Sequence, residues 1–143
     1  MKLSNLPTEQ WLLLLTGLCC SLTFAQTNAT QTNAILSGDN SVPSVATEAS
    51  ADATITIAAD RSVTGSMKST DIVGTEAHIH QGSTGNRGPA IVSLVKTGED
   101  LWTVPAGEVL TEEQYENYRA GELYIDVHSA AHPSGEIRAQ LKP

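Results

Sequence analysis

The chain has 143 residues, 40% of them hydrophobic and 4% aromatic, with a formal net charge of −8. That length holds one ordinary domain. An acidic chain without a Lys/Arg cluster excludes nucleic acid and anionic membrane surfaces as partners, and so few aromatic residues offer no stacking platform for carbohydrate.

Residues 1–25 read as an export signal. Lys2 supplies a positive start that Glu9 offsets, and "WLLLLTGLCCSLTFA" (11–25) is an apolar run short for a membrane span, with a retained anchor as the competing reading. Thr23 and Ala25 fit cleavage before Gln26. Leu18 before Cys19, and Cys19 before Cys20, do not fit a lipid-anchor site. The expected location is therefore the periplasm or the outside of the cell, with no membrane contact after cleavage. Both cysteines fall in this segment, so the downstream chain offers neither a disulfide scaffold nor a thiol nucleophile.

"QTNATQTN" (26–33) is polar and without apolar period, and reads as a flexible linker. It carries a formal glycosylation sequon, Asn28-Ala29-Thr30, which has meaning in a eukaryotic source. Residues 34–143 read as one domain. "AILSG", "DATITIAA", "SVTGSMK", "EAHIHQG", "AIVSLVK", "ELYIDVHS" and "GEIRAQL" are short, rich in Ile, Val and Thr, and separated by turn residues. The pattern predicts an all-β antiparallel sandwich or barrel. "GSTGNRGP" (82–89) lacks a phosphate-binding lysine and predicts a hairpin-like loop. In "KTGEDLWTVPAGEV" (96–109), Trp102 is expected to cover one end of the core. One short helix is expected in "TEEQYENYRAG", where Thr111 and Gln114 form a capping-box pattern and Gly121 stops the helix.

All four histidines lie in two clusters, His78 with His80 and His128 with His132. Side chains alternate along a strand, so residues two apart share a face. In "EAHIHQG", Glu76, His78 and His80 oppose Ala77 and Ile79. In "ELYIDVHS", Tyr124, Asp126 and His128 oppose Leu123, Ile125 and Val127. In "GEIRAQL", Glu136, Arg138 and Gln140 oppose Ile137, Ala139 and Leu141. The histidines are thus expected on an outer face shared with carboxylates and an arginine.

Imidazoles at i and i+2 have Cβ atoms about 7 Å apart, close enough for both to reach one ion at metal–nitrogen distances of about 2.0–2.1 Å. The expected ligands are His78, His80 and His128. His132 is expected as a fourth ligand or a lid, with Glu76 and Asp126 as outer acceptors that orient the rings. All-nitrogen ligation favours copper, then zinc. Structural hydrogen bonding by the same histidines is the competing reading. A serine-type triad of Ser129, His128 and Asp126 is excluded, because adjacent strand residues point apart.

"AILSGDNSVPSV", "AHIHQGSTGNRGPAIVSL" and "LTEEQYENYRAGELYIDVHSAAHPSGEIRAQL" resemble a CHRD (chordin-type) domain over Ala34 to Leu141. Departures are small: one proline in "SVPSV", and Ala139 where the family usually has glycine. The resemblance implies an exported β-rich module. A narrower resemblance, through "HIH", the later "V-H" strand and "GEIRA", is to copper/zinc superoxide dismutase. It implies a Greek-key β-barrel, copper on His78, His80 and His128, and Arg138 guiding an anion. A separate zinc site, a bridging histidine and the disulfide have no counterpart here, so it implies a copper-only site. Three functions follow as alternatives: a copper-binding module, a superoxide dismutase-like enzyme, and an extracellular module that binds another exported protein.

Overall fold

The structure is a computed structural model that describes residues 28–143. The expected export signal lies outside the described residues, as do Gln26 and Thr27. The described chain is all-β with one short helix, as the punctuation by turn residues predicts. Its strands are β1 (Ala29–Ser37), β2 (Ser50–Ala58), β3 (Val63–Thr70), β4 (Gly74–Gln81), β5 (Ala90–Ser93), β6 (Val95–Lys96), β7 (Leu101–Thr103), β8 (Leu123–Ser129) and β9 (Ile137–Leu141). The helix α1 (Glu112–Arg119) precedes β8.

The strands form one antiparallel sheet in the order β5-β4-β8-β9-β1-β2-β3-β7-β6. Its two ends are nearly the same piece of chain, because only Leu94 separates β5 from β6. β5 pairs with β4 through His78↔Ser93, and β6 pairs with β7 through Val95↔Thr103. At the junction the Leu94 amide donates to the Ala77 carbonyl at 2.9 Å, and its side chain is buried. One kinked segment thus serves both edges and brings the sheet close to a closed barrel, which removes most of the open edge. β1 to β3 form a meander, and β9 returns to lie beside β1, the spatial order of a Greek key.

The inward residues follow the period of two. Ala51, Ala53, Ile55 and Ile57 of β2, Leu123, Ile125 and Val127 of β8, and Ile137, Ala139 and Leu141 of β9 are all buried in the core. Trp102 joins that core. An added Cβ on Gly74 would lie 2.8 Å from its ring, so glycine there lets β4 pass the indole. The Lys96 ammonium sits 5.3 Å over the same ring, a cation–π contact on its face.

The expected linker is corrected from Ala29 onward. Ala29–Asn33 belong to β1, which pairs with β2 along its whole length from Ala29↔Ala58 to Ser37↔Ser50. The alternation is present there, but the inward residue is Thr32, whose polarity hides it. Its hydroxyl donates to the Lys142 carbonyl at 2.7 Å and lies 3.1 Å from the Tyr118 hydroxyl of α1. The helix begins as expected: Thr111 Oγ1 accepts from the Gln114 amide, and Gln114 Oε1 accepts from the Thr111 amide. Gly121, at φ 75°, ends it.

A second correction concerns the polar side of β8. Every residue of β8 is buried, so its polar face is roofed instead of facing solvent. The roof is the 82–89 loop and the turn between β8 and β9. Arg138 Nη1 and Nη2 donate to the Asn86 and Ser83 carbonyls at 2.8 and 3.0 Å. Gln140 Nε2 donates to the Gly82 carbonyl at 2.7 Å, and Arg87 Nη2 to the Ser134 carbonyl at 2.8 Å. The 82–89 loop is thus anchored through its backbone carbonyls to β9 and through the Arg87 side chain to the opposite turn.

Candidate metal centre

β4 and β8 pair so that His78 stands opposite Asp126, His80 opposite Tyr124 and Glu76 opposite His128. This register brings side chains from distant parts of the chain onto one patch. One ligand atom from each of His78, His80, Asp126 and His128 lies within 4.8 Å of all the others. His78 Nδ1 is 3.3 Å from His128 Nε2. Asp126 Oδ1 is 3.1 Å from His128 Nε2 and 3.1 Å from His80 Nε2.

The outer nitrogens decide what the inner ones carry. His80 Nδ1 is 2.9 Å from the Gly88 carbonyl, and His128 Nδ1 is 2.9 Å from the Pro133 carbonyl. A carbonyl can only accept, so each ring carries its hydrogen on Nδ1 and donates it there. In the neutral rings both Nε2 atoms then present lone pairs inward, toward the Asp126 carboxylate. His80 Nε2 is buried and makes no hydrogen bond. Lone pairs crowded against a buried carboxylate are unfavourable unless a proton or a metal cation lies among them. The donor set, three imidazole nitrogens and one carboxylate oxygen, fits a divalent transition-metal ion. His78 is the least buried of the four, so the centre opens to solvent on its side.

The charges follow the same geometry. The hydrogen bond to Asp126 raises the His128 pKa above the ordinary histidine value, against the effect of its burial. Burial works to raise the Asp126 carboxyl, but the hydrogen bond from His128 and the His80 imidazole 3.1 Å away outweigh it and hold the group below its ordinary value. Burial, and then the neighbouring His128, lower His78. In the metal-free protein, the stabilising proton on His128 is fully present below the unfolded value of about 6.5 and is lost as pH rises through the raised folded value. The difference in urea midpoint between the wild type and His128→Ala, both in chelator, is therefore largest at mildly acidic pH and shrinks as the solution becomes alkaline. Denaturation series across that range check this, and a difference that grows with pH contradicts it. With a metal ion present the trend reverses, because the ion displaces the proton.

His78, His80 and His128 meet as the strand pattern predicts. Asp126, expected outside the ligand set, has an oxygen inside it. The outer acceptors are the Gly88 and Pro133 carbonyls, a role expected of Glu76 and Asp126. Glu76 is exposed, and it contributes only negative potential at His78 and His128. His132 is not in the cluster. It sits beyond the end of β8, where its amide donates to the Ser129 carbonyl at 3.1 Å to close a turn, and it lies near Glu136. Arg138, expected as an anion guide, is buried, with its guanidinium carbon 3.5 Å from the Tyr124 ring centroid and its N–H groups held by loop carbonyls and Gln140. Sequence reasoning missed Gly88, Pro133 and Tyr124. The turn signals "NRGP" and "HPSG" mark the two carbonyls only as loops.

Fold and site together define a nearly closed antiparallel β-barrel that gathers three imidazoles and a carboxylate under two loops. The chain belongs to the CHRD domain family, whose family model matches residues 32–141. No curated protein and no solved structure matches it.

Proposed function

We propose that this is an exported CHRD-domain module that binds one divalent transition-metal ion through His78 Nδ1, His80 Nε2, His128 Nε2 and Asp126 Oδ1. The observation that carries the reading is the pair of outer carbonyls, which aim the unprotonated nitrogens of His80 and His128 at a common point beside a carboxylate. Metal-ligating histidines use such acceptors to fix tautomer and orientation. The general affinity order places Cu²⁺ first and Zn²⁺ next for a nitrogen-rich set, while four protein donors in a compact group also suit tetrahedral zinc. Copper is the ion we assign, with zinc as its competitor. Export rests on the segment 1–25 and places the module in the periplasm or outside the cell.

Calorimetric titration of residues 26–143 with Cu²⁺ and Zn²⁺ tests the reading. One equivalent is expected to bind, with copper tighter than zinc, and the His78→Ala/His80→Ala double variant is expected to lose that binding. A protein that takes up neither ion, or a double variant that binds as the wild type does, removes it.

A further inference from the structure

We infer that Arg138 is a positioning residue for the metal ligand His80, acting through the Tyr124 ring and through the 82–89 loop. The inference rests on the metal-binding reading above, and adds to it a residue that makes no contact with the ligand atoms.

β4 and β9 flank β8 on opposite sides, and Tyr124 of β8 lies between them. The His80 and Tyr124 rings are parallel to within 1°, with centroids 4.8 Å apart. The Arg138 guanidinium carbon lies 3.5 Å from the same phenol ring. Because the imidazole comes from β4 and the guanidinium from β9, they meet opposite faces of the tyrosine. A planar cation stacks well on such a face, and a lysine ammonium does not reproduce this geometry. The phenol is therefore held as a fixed wall against which the imidazole lies flat.

The second route runs through the loop. Arg138 holds the Ser83 and Asn86 carbonyls. Two residues beyond Asn86, the Gly88 carbonyl accepts from His80 Nδ1 at 2.9 Å, and the Gly88 amide lies 3.2 Å from the Tyr124 hydroxyl. One guanidinium thus fixes both the plane of the His80 ring and the acceptor for its outer nitrogen. Together these two restraints aim Nε2. Freed from them, the ring turns about its side-chain bonds and Nε2 leaves the common point.

The test compares Arg138→Met with the wild type, with Arg138→Lys in its place should the methionine variant not fold. Tyr118→Phe, which removes only the hydroxyl facing Thr32, serves as a control for general loss of stability. Two quantities are read: zinc affinity by competition with a chromophoric chelator, and hydrogen exchange of the His80 ring N–H in metal-free protein by NMR. Loss of Arg138 is expected to weaken zinc binding by about 10- to 100-fold, the range for groups that orient a ligand, and to speed exchange of the His80 ring N–H. An unchanged ring N–H, or an affinity loss no larger than that of Tyr118→Phe, overturns the inference. Should the wild type bind no zinc or copper, the metal-binding reading fails on that result alone, and the ring N–H comparison still decides whether Arg138 positions His80.

Discussion

Replacing His128 by alanine is expected to weaken metal binding by at least about 100-fold, the upper end of the range for groups that merely orient ligands. His128 Nε2 is the hub of the cluster, 3.3 Å from His78 Nδ1 and 3.1 Å from Asp126 Oδ1. Without it, an ion keeps two nitrogens that enter from β4 alone, and the carboxylate loses one of the two imidazoles 3.1 Å from its Oδ1. The metal-free protein suffers too. Asp126 is buried, and losing a hydrogen bond to a buried charged group costs about 1–3 kcal/mol. The checks are chelator competition for affinity and urea denaturation for stability. His132→Ala is the contrast. It lies four residues further on, but its ring is outside the cluster, so its affinity should match the wild type. Equal losses in the two variants would mean that His128 acts through the fold and not as a ligand.

The second large effect is expected from Gly88→Ala. A Cβ at this position would lie 1.6 Å from the Gln81 carbonyl oxygen and 2.8 Å from its carbon. Both are backbone atoms of β4 or its end, so no side chain can swing aside, and the loop itself must move. That movement separates the Gly88 carbonyl from His80 Nδ1 and the Gly88 amide from Tyr124 Oη. The overlap is expected to cost about 1–3 kcal/mol of stability, with about a 10- to 100-fold loss of metal affinity from the disoriented His80. Gly85→Ala, three residues earlier at φ 80° with nothing within 4 Å of its Cβ position, isolates the backbone effect. It should cost about 1–2 kcal/mol and leave the affinity alone. Thermal melts and chelator competition on the two variants decide the point. An alanine at position 88 that leaves the affinity intact would remove the Gly88 carbonyl from the account of the site.

Much of this arrangement is legible in the residues themselves. Alternation places His78 with His80 and Asp126 with His128, and the strand register then brings the two pairs together. The capping box at Thr111 and Gln114 is written directly in the chain. A period of two, however, separates faces without saying what covers them. The polar face of β8 reads as solvated, and only the anchoring of the 82–89 loop by Arg138 and Gln140 shows that it is roofed. That roof turns Asp126 from an outer acceptor into part of the centre, because a carboxylate shut off from water must be neutralised by its neighbours.

The acceptors for the histidine rings were beyond reach for a different reason. Gly88 and Pro133 act through backbone carbonyls, which every residue has, so no side-chain signature distinguishes them. Closure at Leu94 was equally hidden, since "AIVSLVK" reads as one strand and nothing in it announces two partners. His132 was assigned by proximity along the chain. Its backbone closes a turn with Ser129 beyond the end of β8, and its ring is not in the cluster.

The most direct measurement is the position of the bound ion, by crystallography or X-ray absorption on protein loaded with one equivalent of copper or zinc. The account predicts an ion about 2.0–2.2 Å from His78 Nδ1, His80 Nε2, His128 Nε2 and Asp126 Oδ1, with the outer nitrogens of His80 and His128 still on the Gly88 and Pro133 carbonyls. An ion held elsewhere on the chain, with these four atoms left to one another, would contradict it.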